Sequence, residues 1–129
     1  MENNKKNLMV LVVDDDPLIT RMYQAKLTLA GFDVVIASDG GEAFSVAEKN
    51  KPDLILLDLM MPKINGIEAL KILKKSPETK SIPVIILTNL TDNGDDITKA
   101  KEMGAHDYLV KSQLQLKVLP DIVKAAVKG

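Results

Sequence analysis

The chain has no cysteine, no tryptophan, one histidine (His106), two tyrosines and two phenylalanines among its 129 residues. Each shortage removes a class of chemistry. Without thiols there is no disulfide, no thiolate metal site and no cysteine nucleophile. One imidazole cannot build a zinc site of several histidines. Aromatics at 3% leave too few rings to stack on single-stranded bases. Neither sign of charge dominates: 17 basic against 18 acidic side chains give a net charge of -1. Nothing in that balance calls for nucleic acid or an anionic membrane, and neither is expected as a partner. No apolar run approaches the roughly 20 residues that span a bilayer. The start, Met1 to Asn7, is polar, and the apolar stretch Leu8 to Val13 stops at three aspartates, too short for a signal-peptide core. The expected location is the cytoplasm.

What is present suits a globular domain. Hydrophobic residues make up 46% and charged residues 27%, ordinary proportions for a soluble fold. One domain is expected over 1–129, with 1–7 as a polar tail. Leu8 to Val13, Leu54 to Leu57 and Val84 to Leu87 are continuous β-rich runs, as in central strands of a parallel sheet covered on both faces. Asp33 to Ala37 and Tyr108 to Val110 read as two further strands. Helical segments lie between them. Asp16-Pro17 is an N-cap with proline in the first turn, followed by Leu18, Met22, Ala25 and Leu29 at helical spacing up to Gly31. Asp39 and Glu42 form a capping box ahead of Ala43, Val46 and Ala47, and Pro52 stops that helix. Gly66, expected in a positive-φ turn, precedes Ile67, Leu70 and Leu73, with Pro77 ending the helix. A polar helix is expected from about Asp95 to Met103, closed by Gly104. The last runs from about Lys117 to Lys128, with Leu119, Ile122, Val123 and Ala126 on one face. Pro120 either kinks a helix begun near Ser112 or sits in the first turn of one begun near Lys117.

Five strands alternating with five helices imply right-handed βαβ units and an α/β doubly wound sheet. Ligands bind such sheets at the carboxyl ends of the strands. Those ends read Asp14-Asp15-Asp16, Asp58, Thr88-Asn89 and Lys111-Ser112. Two carboxylates 4 Å apart repel by about 4 kcal/mol at an effective dielectric near 20. A hard divalent cation such as Mg²⁺ reverses that cost and is suited to neutralising phosphoryl oxygens. Asp14 and Asp15 stand together as metal ligands. Asp58, alone at the end of a central strand, is then left as a carboxylate nucleophile able to form an aspartyl phosphate. Thr88 and Lys111 would hydrogen-bond and neutralise the phosphoryl oxygens. Taken singly, most of these residues have ordinary explanations: Asp16 as a helix cap, His106 as a surface residue, Lys111 as a surface lysine. It is their joint placement at strand ends that carries the reading.

Val12-Val13-Asp14-Asp15-Asp16-Pro17, Leu57-Asp58-Leu59-Met60-Met61-Pro62, Asn65-Gly66, Pro83 to Thr88 and Asp107-Tyr108-Leu109-Val110-Lys111 together resemble a response-regulator receiver domain, from about Leu8 to Val127. The resemblance implies a flavodoxin-like sheet of five parallel strands in the order 2-1-3-4-5, as in the chemotaxis regulators, flanked by five helices. It also implies roles. Asp58 matches the phosphoacceptor, and Asp14 and Asp15 the acidic pair that holds Mg²⁺ (or Mn²⁺). The Met60 carbonyl matches the third protein contribution to the metal, and Thr88 the switch hydroxyl. Lys111 matches the lysine paired with a phosphoryl oxygen, and Tyr108 the aromatic switch residue. The donor would be a sensor histidine kinase or a histidine phosphotransfer protein. The downstream protein target would dock on the surface of the fourth helix, fifth strand and fifth helix. The expected protein is a stand-alone receiver of a two-component phosphorelay, a phosphoacceptor signalling module rather than an enzyme, limited to self-phosphorylation and slow autodephosphorylation.

Three departures from the family pattern stand out. Asn89 follows Thr88 where a small residue is usual, and narrows access or adds a hydrogen bond. Ser112 follows Lys111 in place of a proline in a cis bond. A cis non-prolyl bond costs about 2.5–4 kcal/mol, so Lys111–Ser112 is expected trans. Met60 and Leu90 are poor at orienting an attacking water, which implies a long-lived phosphoryl group. Other functions fit less well. Some Mg²⁺-dependent phosphohydrolases with an aspartyl nucleophile place a second aspartate, as general acid, where Met60 stands. A flavin or nucleotide site wants a Gly/Ser/Thr-rich phosphate loop where three aspartates stand. A non-phosphorylated receiver-like scaffold would not need the complete set Asp14, Asp15, Asp58, Thr88 and Lys111.

Overall fold

A computed structural model describes residues 7–59, 66–88 and 94–128. Five strands, β1 (Met9–Val13), β2 (Asp33–Ala37), β3 (Leu54–Asp58), β4 (Val84–Thr88) and β5 (Asp107–Val110), alternate with five helices, α1 (Pro17–Leu29), α2 (Gly40–Asn50), α3 (Gly66–Lys75), α4 (Gly94–Glu102) and α5 (Leu119–Lys128). The strands are all parallel, in the order β2-β1-β3-β4-β5. The architecture is the doubly wound, flavodoxin-like sheet that the resemblance implies. The continuous apolar runs are the central strands: every residue of β3 and β4 is buried, whereas the edge strands β2 and β5 are only partly covered.

Period-two alternation divides the core into two layers. Leu11, Val13, Ile55, Leu57, Val84 and Ile86 pack under α2, α3 and α4, against Ala43, Ala47, Leu70, Leu73 and Ala100. Val10, Val12, Leu54, Leu56, Ile85 and Leu87 pack on the other face, against Tyr23 and Leu27 of α1 and Leu119, Val123 and Ala126 of α5. Leu56 and Leu57 are neighbours in sequence and sit in opposite layers, each 0% exposed. Truncating either to alanine should cost about 2–5 kcal/mol.

Local signals fix most element ends. Asp16 Oδ1 accepts the Leu18 N–H at 2.9 Å, capping α1. Asp39 Oδ1 accepts the Glu42 N–H at 2.9 Å, as the capping box requires, but Glu42 reaches back to Ser38, accepting its N–H at 2.6 Å and its hydroxyl at 2.9 Å. Helix α2 ends before Pro52: Lys51 takes a left-handed conformation, φ 49°, and donates its N–H to Ala47. Pro120 lies in the first turn of α5, where its missing N–H costs nothing. Two short 3-10 turns, Lys111–Gln113 and Leu116–Val118, bridge β5 to α5. There is no cis peptide bond among the described residues, so Lys111–Ser112 is trans as expected.

The structure decides which face of α1 is buried, and it corrects one expectation, that for Gly66. The stripe Leu18, Met22, Ala25 and Leu29 does not face the core: Leu18 is 64% and Leu29 86% exposed, while Thr20, Tyr23 and Leu27 are buried. Apolar residues occur on both sides of this helix, so spacing alone picks out two stripes, and tyrosine and threonine disguise the inner one. Gly66 has no positive φ; Gly31 and Gly104 are the glycines that do among the described residues. Gly66 is instead required by close packing, since an added Cβ would lie 2.5 Å from Leu59 Cα and closer still to the Asp58 carbonyl oxygen.

Candidate functional site

Strand register builds the site. Val13 pairs with Leu57, so Asp14 emerges level with Asp58. Asp58 pairs with Leu87, so Thr88 lies one residue beyond it on the neighbouring strand. Thr88 pairs with Val110, and Lys111 follows immediately. Parity then sets direction. Asp14, Asp58 and Lys111 are in step with Val12, Leu56 and Leu109, the rows that face α1 and α5. Three charged side chains thus share one end of an otherwise apolar layer.

Asp14 and Asp58 are almost wholly buried, 1% and 2% exposed. The backbone N–H of Asp14 extends the ladder to Ala37 at 3.2 Å. Its Oδ1 accepts the Asp16 N–H at 3.0 Å, and its Oδ2 accepts from Lys111 Nζ at 2.8 Å. The same ammonium stands 3.3 Å from Asp58 Oδ2. Burial pulls the Lys111 ammonium down, but the hydrogen bond to Asp14 and the charges of Asp58 and Asp14 outweigh it, and its pKa is raised overall. Asp15 is exposed at the rim. Carboxylate oxygens of Asp14, Asp15 and Asp58 all lie within 4.8 Å of one another. At that separation two carboxylates repel by about 3.5 kcal/mol at an effective dielectric near 20. One ammonium cannot balance three such charges. The donor set is all oxygen and carboxylate-rich, which fits a hard divalent cation that keeps some of its waters.

Of the residues singled out in the sequence, the structure brings together Asp14, Asp15, Asp58 and Lys111. Thr88 is buried at the adjoining strand end, 1% exposed. Tyr108 lies outside the cluster, on edge strand β5 with 39% of its surface exposed. Met60, Asn89 and Leu90 lie outside the described residues. Asp16 is a helix cap and His106 is exposed, as expected. Sequence reading missed Tyr23, a phenol 3% exposed in the α1/α5 layer. Burial pushes its pKa up, the Lys111 charge opposes this, and the Asp14 and Asp58 charges add to it. The available signal was the alternative stripe Thr20, Tyr23 and Leu27 at the same helical spacing.

The chain matches the response regulator receiver domain family over residues 10–124, and it belongs to that family. Among curated proteins it is similar to the "Probable transcriptional regulator ycf27" of Cyanophora paradoxa, 44% identical over 111 residues, or 86% of this chain and 44% of that protein. It is also 44% identical over 108 residues to the alkaline phosphatase synthesis transcriptional regulatory protein PhoP of Bacillus subtilis, or 84% of this chain and 42% of that protein. The chain therefore spans less than half the length of these curated relatives. Among solved structures, the chemotaxis protein CheY4 of Vibrio cholerae superposes with a TM-score of 0.85 at 32% identity, covering 93% of this chain and 98% of that one. The family is a signalling module of two-component systems, and its members generally bind Mg²⁺ in an acidic pocket. Relatives named as transcriptional regulators lend no support to the expectation that nucleic acid is no partner. No helix among the described residues is long and apolar enough to cross a membrane.

Proposed function

We propose that this chain is a phosphoacceptor switch in which Asp58 takes a phosphoryl group from a phosphohistidine of a sensor kinase or phosphotransfer protein. The carrying observation is a carboxylate, 2% exposed, at the end of a central strand, with an ammonium 3.3 Å away and two further aspartates beside it. A carboxylate oxygen of Asp58 attacks phosphorus, the P–N bond to the donor imidazole breaks, and that nitrogen keeps the electron pair. Asp14, Asp15 and Asp58, with the Met60 carbonyl from outside the described residues, would hold Mg²⁺ (or Mn²⁺), which when bound supplies positive charge for the phosphoryl oxygens. Lys111 shifts its ammonium from Asp14 toward the new phosphoryl oxygens, and the Thr88 hydroxyl donates to another. Tyr108, half-exposed on β5, turns inward as Thr88 moves, and the α4-β5-α5 face changes its affinity for a downstream protein. Leu18 and Met22, exposed on α1 beside Asp14 to Asp16, give an approaching donor apolar surface to rest on.

The reading extends to a receiver unit that works in the cytoplasm through a protein partner. Its phosphoryl group is long-lived because Met60 and Leu90 orient no water. Self-phosphorylation and slow autodephosphorylation are its only reactions. Acetyl phosphate with Mg²⁺, read by intact mass, tests the core of it. One added phosphoryl group, absent in Asp58→Asn, is expected. An adduct that persists in Asp58→Asn, or none in the native chain at saturating Mg²⁺, would rule out Asp58 as acceptor.

A further inference from the structure

On the far side of the sheet from Lys111, α3 and α4 enclose a groove of about 570 Å³. Ile67 and Met103, both half-buried, form its apolar floor. Lys71 and Lys75, one turn apart on α3, and Lys99 on α4 line its exposed walls. Lys74 adds its stem to the wall. Its Nζ is turned away to donate to the carbonyls of Ile82 at 2.8 Å and Lys80 at 3.1 Å, closing the turn ahead of β4. Among the described residues that line the groove, Glu68 is the one carboxylate. The helix dipole accounts for lysines in the last turns of α3 and α4. It does not account for Lys71, nor for the two sets converging on one groove. Like charges at the i, i+4 spacing of Lys71 and Lys75 repel, and this concentration of positive charge sits on a chain whose net charge is -1.

We infer that the α3–α4 groove docks an acidic peptide segment of a partner protein, an apolar side chain entering against Ile67 and Met103 while flanking carboxylates meet Lys71, Lys75 and Lys99. The apolar floor between lysine walls matches such a segment in both respects. A nucleic-acid backbone would leave the apolar floor unfilled. The site is separate from the Asp58 pocket, and its occupancy does not require phosphorylation.

A short labelled peptide of glutamates around a central pair of leucines, titrated into the full chain and followed by fluorescence anisotropy and amide NMR shifts, tests this. Saturable binding with shifts clustered on α3 and α4 is expected. Weakening should be about tenfold in Lys71→Gln/Lys75→Gln/Lys99→Gln, from three exposed charge contacts. Lys117→Gln/Lys124→Gln/Lys128→Gln, the same change of charge near and on α5, should leave affinity unaltered. Equal loss in both triple variants, absence of saturable binding, or tighter binding of a DNA duplex with the same Lys71/Lys75/Lys99 dependence would overturn the assignment.

Discussion

Replacing Lys111 with methionine keeps most of the aliphatic stem and removes one charge. Lys111 Nζ lies 2.8 Å from Asp14 Oδ2 and 3.3 Å from Asp58 Oδ2. At an effective dielectric near 20 these contacts represent gross attractions of about 6 and about 5 kcal/mol. Desolvation of three charged groups offsets much of that. What the substitution exposes is the penalty of leaving buried carboxylates facing each other, and removing one partner of a buried pair costs about 3–5 kcal/mol. For a chain of this length that is a fall in Tm of roughly 10–20 °C, read by differential scanning calorimetry in EDTA at neutral pH. The second arm uses Mg²⁺. In the native chain an added cation would compete with the ammonium for the Asp14 carboxylate; in Lys111→Met it would meet that carboxylate without this competitor. A ligand that binds only the folded state stabilises by mass action, so millimolar Mg²⁺ should raise Tm more in the variant than in the native chain. Equal stability in EDTA together with an equal Mg²⁺ response would show that Lys111 is not the counter-charge of this pocket.

Three further outcomes follow from single contacts. Gly66→Ala should destabilise by about 1–3 kcal/mol in urea unfolding although alanine is the better helix former. The new Cβ has no room beside Leu59 Cα and the Asp58 carbonyl, and overpacking exceeds the roughly 1 kcal/mol of propensity. Asp39→Ala should cost about 1 kcal/mol by the same assay, through loss of the α2 cap to the Glu42 N–H. Stability should fall as pH rises into the alkaline range, for two reasons of the same sign. The raised Lys111 pKa contributes stability that is complete below the ordinary lysine value and is lost as pH climbs through the raised one. Tyr23 ionises more readily unfolded than folded, so its contribution falls away above the ordinary tyrosine value. Tyr23→Phe and Lys111→Met should each flatten the alkaline limb of a Tm-against-pH curve, and an unchanged limb in both would refute the coupling.

The strand-end residues were legible because strands carry period-two information and the doubly wound connection rule says which ends matter. Asp58 and Thr88 could be placed from sequence to within a residue. Caps were legible for the same local reason: Asp16 and Asp39 have side chains whose chemistry is spent within three residues. The inward face of α1 was not, since apolar residues lie on both sides of the helix and only the identity of the neighbouring layer decides between them. Gly66 was misread because its requirement comes from Asp58 and Leu59, eight and seven residues away in sequence but in contact in space. Lys111 shows what connects the two kinds of information. The alternation that buries Val12, Leu56 and Leu109 against α1 and α5 continues one step and carries Asp14, Asp58 and Lys111 into the same layer. The acidic pocket is therefore the last row of the hydrophobic core, with α1 and α5 packed against both. A change of charge at Asp58 is felt by residues that also hold the fold together, which is why Mg²⁺, pH and substitutions at Lys111 should move stability and chemistry together.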